Sequence, residues 1–310
     1  MNARAIGIDI GGTKIAAGLV DLATGEVEFP STVCTAVDGG GDAVLDQCRM
    51  LVNAIDTHES GSRAHIGITV PELVGLDGTV QSASLFDWRT TDVRAAFPGR
   101  TVTVVSDVRA AALAESRFGA GVGATSMLYV SVGTGISSTL VIGGEPWAGA
   151  RGNALVIASG HLAAIDERNG AVVHSTLEEW ASGAALVTRF EAAGGVPGHS
   201  TAEILALADA GDRIAAKVVH AAAEALGSAI GQAVNLLDPE IVVIGGGLGL
   251  AARTTGWWDR IVAATRRAIW SAQTRDLPIV PAGLGTLSGV VGAALAASMA
   301  SGSPVPCRSG

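Results

Sequence analysis

IGIDIGGTKIAAGLV, residues Ile6 to Val20, consists of two runs of small and β-branched apolar residues joined by Gly11-Gly12-Thr13. Apolar runs meeting at a short Gly-rich turn predict a β-hairpin. Asp9 interrupts the first run just before the turn. An ordinary hairpin turn accounts for the glycines but gives a carboxylate no reason to sit in an apolar strand. A turn without Cβ atoms lets backbone N–H groups approach phosphate oxygens closely. Asp9, Gly11, Gly12, Thr13 and Lys14 are therefore the first candidate phosphate-binding group. The span from Gly7 to Gly12 has P-loop spacing, but Thr13-Lys14 follow in reversed order and a strand follows in place of a helix.

The pattern returns in MLYVSVGTGISSTLVIGG, Met127 to Gly144, where Gly133-Thr134-Gly135 occupies the turn and Gly133 aligns with Gly11. This reads as an internal duplication, each hairpin opening an α/β domain. The expected fold is a two-domain α/β chain: residues 1–118, with a closing helix at Ser288 to Ser301 packing back on them, and residues 119–310. GAGVGAT, Gly119 to Thr125, marks the boundary, and the cleft between the halves is the expected active site. Other elements follow from periodicity. Helices are expected at Ala43 to Ile55, at Val108 to Arg117 and over Ala202 to Leu237 with a break near Gly211; strands are expected at Ala64 to Val70, Thr101 to Val105 and Ile241 to Ile244.

Composition narrows the partners. The chain has 310 residues, 48% hydrophobic, so it can bury sizeable cores. Only 4% are aromatic and 42 are glycine, which makes Ala, Val, Ile and Leu the core material. A net charge of −9 repels nucleic acid, so a small-molecule partner is expected. Cys34, Cys48 and Cys307 show no C-x-x-C spacing, which supports neither a disulfide framework nor a cysteine zinc site and suits a cytoplasmic setting. No signal peptide is expected ahead of the first strand. Phe118 to Gly144 and Leu277 to Cys307 are long uncharged stretches, but Gly, Pro, Ser and Thr interrupt them, so soluble core elements are expected and no membrane partner.

Two further motifs carry chemistry. Ser106-Asp107 follows the apolar strand TVTVV and precedes a helix, placing a carboxylate at a strand's C-terminal end, where α/β proteins bind ligands. Asp107 is the candidate general base; it is equally well placed to N-cap the helix at Val108. Gly245-Gly246-Gly247 follows the strand IVVI and offers flat backbone to an adenosine, or serves as a plain strand-to-helix turn. Two such hairpin turns would hold the two ends of a triphosphate, with Asp9 binding Mg²⁺ directly or through water.

Taken in order, IGIDIGGTKIAAGLVD, SDVRAAALAE, VSVGTGI, LEEWASG, NLLDPEIVVIGGG and SGVVGAALAA resemble the ROK (repressor, open reading frame, kinase) family of bacterial sugar kinases, over nearly the whole chain. The resemblance implies an actin-like ATPase fold, ATP and Mg²⁺ as cofactors, and Asp107 as catalytic base. It also implies phosphate on the two hairpin turns, adenosine near Gly245 to Gly247, and a homodimer. Acceptor contacts are implied at Ser106, Asp107, His161 and Glu178. Ser175 to Glu178 is also a capping box in sequence.

Departures from the family pattern bear on the acceptor. The usual Gly-Glu-x-Gly-His is Ile157-Ala158-Ser159-Gly160-His161, and the cysteine-rich zinc loop is AIDERNGAVVHST. His161 and His174 alone do not make a tetrahedral zinc site, so no zinc is expected. The usual Asn before the base is Ser106, and the usual Pro-Gly after the third strand is Pro71-Glu72. The preferred acceptor is accordingly a carbocyclic sugar mimic, a C7-cyclitol of the valienol or valiolone type used in aminocyclitol antibiotic biosynthesis, with glucose or an N-acyl-hexosamine as the alternative. The family also contains repressors, but the first strand begins near Ala5 and is expected to leave no room for a helix-turn-helix domain. A non-catalytic sensor is the remaining reading, opposed by Asp9 and Asp107. The roles of Arg109, Asp87 and Trp88 stay open.

Overall fold

The computed structural model describes residues 4–58, 64–166 and 169–301; Cys307 and two residues of the AIDERNGAVVHST stretch lie outside them. The chain divides into two compact units, one taking Met1–Gly123, Gly144–Ala154 and Thr286–Gly310, the other Ala124–Gly143 and Leu155–Gly285.

The first unit begins with β1 (Arg4–Ile10), β2 (Lys14–Asp21), β3 (Val27–Cys34) and α1 (Gly40–Asp56). It continues with β4 (His65–Val70), β5 (Val102–Ser106) and α2 (Asp107–Phe118). Its sheet runs β3-β2-β1-β4-β5, with β1, β4 and β5 parallel. The second sheet is built from β6 (Ser126–Val132), β7 (Ile136–Ile142), the two-residue β8 (Glu145–Pro146), β11 (Ile241–Gly245) and β12 (Ile279–Pro281), in the order β12-β11-β6-β7-β8. Each sheet has an antiparallel hairpin (β1-β2, β6-β7) whose first strand lies parallel to a later one (β4, β11), followed by a further parallel strand (β5, β12). The two sheets share one plan, as the repeated hairpin motif predicts.

Strand periodicity sorts β1 into two faces. Ile6, Ile8 and Ile10 join Val44, Leu45, Cys48 and Val52 of α1 in one apolar core. Gly7 and Asp9 belong to the other face, which α9 (Ser288–Ala300) covers. Gly7 pairs in register with Gly67 of β4, and a Cβ on either would lie 1.9 Å from the Val290 carbonyl oxygen or 1.7 Å from that of Ala293. Paired glycines thus let the helix backbone lie directly on the sheet.

The second unit adds the hairpin β9 (His161–Ile165) with β10 (Val172–Thr176), then α3 (Leu177–Ala181), α4 (Gly183–Ala192), α5 (Thr201–Asp209), α6 (Arg213–Leu237), α7 (Gly246–Ala252) and α8 (Gly256–Ala268). The break expected near Gly211 separates α5 from α6. By length and composition α6 is apolar enough to cross a membrane, and half of that span is buried within the structure. Val218, Val219, Leu226, Ile230 and Val234 of α6 are core residues of this unit.

Candidate active site

In the first unit three carboxylates emerge from adjacent C-terminal strand ends. The register Asp9↔Thr69 and Val70↔Ser106 brings Asp9 at the end of β1, Glu72 just beyond β4 and Asp107 just beyond β5 to one edge of the sheet. The Thr69 hydroxyl donates to Asp9 Oδ1 at 2.6 Å, and its oxygen accepts the Ile10 N–H. Gly289 of α9 lies so close that a Cβ there would stand 2.3 Å from Asp9 Oδ2. Burial raises the Asp9 carboxyl above the usual range, partly countered by the Thr69 bond.

Asp107 opens α2. Ser106, not Asp107, occupies the N-cap position, and its side chain makes no capping bond. Asp107 is the first helical residue, one past the expected N-cap position, and its Oδ1 still accepts a first-turn donor, the Val108 N–H, at 2.6 Å. The Ser106 hydroxyl is buried and lies 3.5 Å from Asp107 Oδ1. Loss of solvent and the nearby Asp9 charge push the Asp107 carboxyl up to about 7, with a smaller contribution from Glu72. A carboxyl tuned to neutrality is well matched to general-base work.

The turn after β1 is closed by the Gly11 N–H donating to the Lys14 carbonyl at 2.9 Å. Thr13 and Lys14 are exposed at its tip. Leu85 Cδ2 would lie 3.1 Å from a Cβ on Gly12, which places the loop after β4 against this turn. Arg109 donates to the Val74 carbonyl at 2.6 Å, tying that loop to α2. Asp87 pairs with Arg89 at 2.8 Å on the surface, and Trp88 is buried and stacked on Phe86, 4.9 Å between centroids.

In the second unit the Gly133 N–H donates to the Gly135 carbonyl at 2.8 Å, closing the matching turn. Gly183, the first residue of α4, donates to the Gly133 carbonyl at 2.9 Å, so a helix N-terminus abuts this turn. Glu178 Oε2 accepts the Ile136 N–H at 2.7 Å and lies over Gly135. One oxygen of the carboxylate implied for the acceptor is therefore engaged with the turn. The capping box of α3 sits one residue later than the sequence suggests, with Thr176 as N-cap and Glu179 as its partner. Ala158 is buried in the apolar core of this unit. His161 is exposed, and the register Thr176↔His161 and Ala163↔His174 puts both histidines on one face of the β9-β10 hairpin. Among the described residues no three His, Cys, Asp or Glu side chains gather as a metal site.

The three glycines Gly245 to Gly247, from the end of β11 into α7, differ in what surrounds them. Gly246 has φ +79° and would drive a Cβ to 2.4 Å from the Val132 carbonyl oxygen, whereas a Cβ on Gly247 meets nothing within 4 Å. Only Gly247 has an open face. Thr69, Gly183 and Gly289 contact candidate residues but are not singled out in the sequence, where Glu72 stands only as a departure from the family pattern. Thr69 and Gly183 could have been found from their places, one opposite Asp9 and the other inside LEEWASG; the packing of Gly289 on Asp9 depends on a helix 280 residues away.

Duplicated β-hairpins with Gly-rich turns, each leading an α/β sheet, and a base-like carboxylate beyond a parallel strand define a kinase of the actin-like ATPase fold. The ROK family model matches residues 5–299. The glucokinase of Streptomyces coelicolor is 30% identical over 93% of this chain and 96% of its own. The kanosamine kinase of Amycolatopsis mediterranei is 29% identical over 97% and 98%. A ROK family glucokinase structure from Streptomyces griseus, in complex with glucose and AMPPNP, superposes with TM-score 0.80 at 28% identity, covering 96% of this chain and 100% of that one. This chain belongs to the ROK family. It is an ATP-dependent phosphotransferase with an alcohol group as acceptor.

Proposed function

We propose that the chain transfers the γ-phosphoryl group of ATP to a hydroxyl of a sugar-like polyol, with Asp107 accepting the hydroxyl proton as the new P–O bond forms. The observation that carries this is Asp107 itself: first residue of a helix, at a parallel strand end, its carboxyl raised to about 7 by burial and Asp9. Phosphoryl transfer needs positioning and charge neutralisation more than covalent chemistry from the protein. The Gly11-Gly12-Thr13-Lys14 and Gly133-Thr134-Gly135 turns are read as phosphate cradles, and Gly247 as the flat backbone beside adenosine. Magnesium is held by one or two carboxylates together with phosphate oxygens and water. Asp9 fits that donor set as a carboxylate at the strand end beside the Gly11-Gly12 turn, its Oδ1 held by the Thr69 hydroxyl. The bound ion would neutralise charge on the transferring phosphoryl group.

For the acceptor we favour a C7-cyclitol over glucose. Ala158 is a core residue where the resemblance places a hydroxyl-binding glutamate, and Glu178 spends one oxygen on the Ile136 N–H. Both features reduce the carboxylate oxygens available to a fully hydroxylated ring. A hexose or aminohexose is the second reading, favoured by similarity to a glucokinase and a kanosamine kinase. The assembly proposed is a homodimer, checked by sedimentation velocity, and the net charge of −9 favours small-molecule partners over nucleic acid.

The test is coupled ADP release with Mg-ATP against glucose, mannose, N-acetylglucosamine, N-acetylmannosamine, kanosamine, valienol and valiolone. Higher kcat/KM on a cyclitol supports the preferred acceptor, and efficient turnover of a hexose replaces it with the second reading. A folded protein that binds Mg-ATP yet releases no ADP with any of them would overturn the kinase reading.

A further inference from the structure

Glu72 is a buried carboxylate with 4% of its surface exposed, and its partners are unusual. Oε2 accepts from the Ser82 hydroxyl and from the Ser84 N–H at 2.8 Å, while Oε1 accepts the Leu85 N–H at 2.6 Å and the Phe86 N–H at 3.0 Å. An ionised carboxylate offers about four lone-pair sites, and here each has a donor. Glu72 therefore has no capacity left for a substrate hydroxyl. Its role must be sought in what it holds.

Three consecutive N–H groups, from Ser84 to Phe86, converge on this side chain in the manner of an anion-binding nest. Without the carboxylate they would face a polar void, and unpaired buried donors are costly. The loop is anchored on both sides. The Leu73 N–H donates to Ser82 Oγ at 2.8 Å, the Gln81 N–H donates to the Leu73 carbonyl at 2.7 Å, and Val74 bridges Val80. Arg109 binds the Val74 carbonyl from the helix that carries Asp107, and Leu85 lies on Gly12 of the first phosphate turn. Ser84 and Leu85 are exposed, so the held segment presents a surface beside the Gly11-Gly12 turn.

We propose that Glu72 is a positioning residue for the acceptor: by gathering Ser82 to Phe86 onto its carboxylate it fixes the wall beside the Gly11-Gly12 turn and the Asp107 helix, without touching the acceptor itself. The proposal rests on the reading of Asp107 as base only in locating where the acceptor binds.

The decisive variant is Glu72→Ala, which leaves a nest lined by one hydroxyl and three N–H groups and open to a small carboxylate. With whichever of glucose, kanosamine and valiolone the wild type turns over fastest, the acceptor KM should rise roughly tenfold or more, since misplacing a positioning wall weakens productive binding. The KM for Mg-ATP should change far less, because the Gly11-Gly12 turn is closed by its own Gly11 N–H to Lys14 carbonyl bond and keeps its backbone. Added acetate should lower the acceptor KM again, and chloride at equal ionic strength should not. Glu72→Gln keeps the shape but turns an NH₂ group toward N–H donors, so it should raise the acceptor KM without acetate rescue. This variant carries the test if Glu72→Ala does not fold. An unchanged acceptor KM in a folded variant overturns the proposal. So does a fall in kcat together with a rise in both KM values in proportion to thermal destabilisation, with no acetate effect. Asp107→Asn, assayed alongside, separates the two readings: if it retains turnover the base assignment fails, while the Glu72 result is still read from the acceptor KM and its rescue.

Discussion

At the scale of single residues, the protonation of Asp107, the proposed base, ties the pH dependence of catalysis to that of stability. In the unfolded chain an aspartate ionises near pH ~4, whereas in the folded protein burial and Asp9 move this carboxyl up to about 7. Between those values the native state keeps a proton that the unfolded chain has lost, so the contribution of Asp107 to stability falls as pH rises and is least favourable above 7. Asp9, also raised by burial, acts in the same direction. A base must be unprotonated, so kcat/KM should fall about tenfold per pH unit below 7. Asp107→Asn should lower kcat by roughly two to four orders of magnitude while nucleotide binding persists. The same variant should melt at a higher temperature than the wild type above pH 7, with the gap closing as pH drops toward ~4. Calorimetry across that range, beside pH–rate profiles, checks both. A variant that loses activity and stability together at every pH would contradict the assignment.

At the scale of elements, glycines of the same kind in sequence do opposite work. Gly67 on β4 lies under α9, where a Cβ would stand 1.7 Å from the Ala293 carbonyl, while Gly247, second residue of α7, has free space around its Cβ position. Gly67→Ala should therefore cost about 3 kcal/mol or more, because rigid backbone on the far side cannot yield. Gly247→Ala should leave the melting temperature unchanged or slightly higher, alanine being the better helix former, and should raise the KM for ATP if adenosine lies on that face. Denaturant melts and ATP kinetics on the two variants check the contrast. These examples mark how far the sequence could be read. The two Gly-rich hairpins, the strands at 64–70, 101–105 and 241–244, the helices expected at 43–55, 108–117, 202–237 and 288–301 and the position of Asp107 follow from local periodicity and turn chemistry and are present in the structure, whereas the β9-β10 hairpin, α4 and α8 lie outside those expectations. Local signals do not reveal which neighbour a glycine meets. The groove made by Gly7 and Gly67, the seat of Gly289 on Asp9 and the nest around Glu72 arise from segments far apart in the chain. The capping box shifted by one residue for a milder reason: Ser175 and Thr176 are both good N-caps, and only the observed helix start at Leu177 selects between them.

At the scale of the whole molecule, the first unit is discontinuous. Its sheet is complete by Ser106, but α9, which covers the Gly7 and Gly67 face, is supplied by residues 288–300 at the far end of the chain. Helix and sheet meet backbone to backbone there, and α9 buries Val290, Val291, Ala293, Ala294, Leu295 and Ala297. A fragment ending at residue 118 would expose that face of the sheet along with the partners of α9 on α2, where a Cβ on Gly292 would stand 1.8 Å from the Ala110 carbonyl oxygen. Fully burying a Val or Leu side chain stabilises by about 1.5–3 kcal/mol, so Val290, Val291 and Leu295 alone contribute roughly 5–9 kcal/mol, comparable with the roughly 5–15 kcal/mol by which domains are stable. Residues 1–118 alone should show no cooperative unfolding transition by circular dichroism or calorimetry. A single chain joining Met1–Gly123, Gly144–Ala154 and Thr286–Gly310 through flexible Gly-Ser linkers should recover one. If the short fragment unfolds cooperatively by itself, α9 is dispensable and the backbone packing at Gly7 and Gly67 contributes far less than its geometry implies.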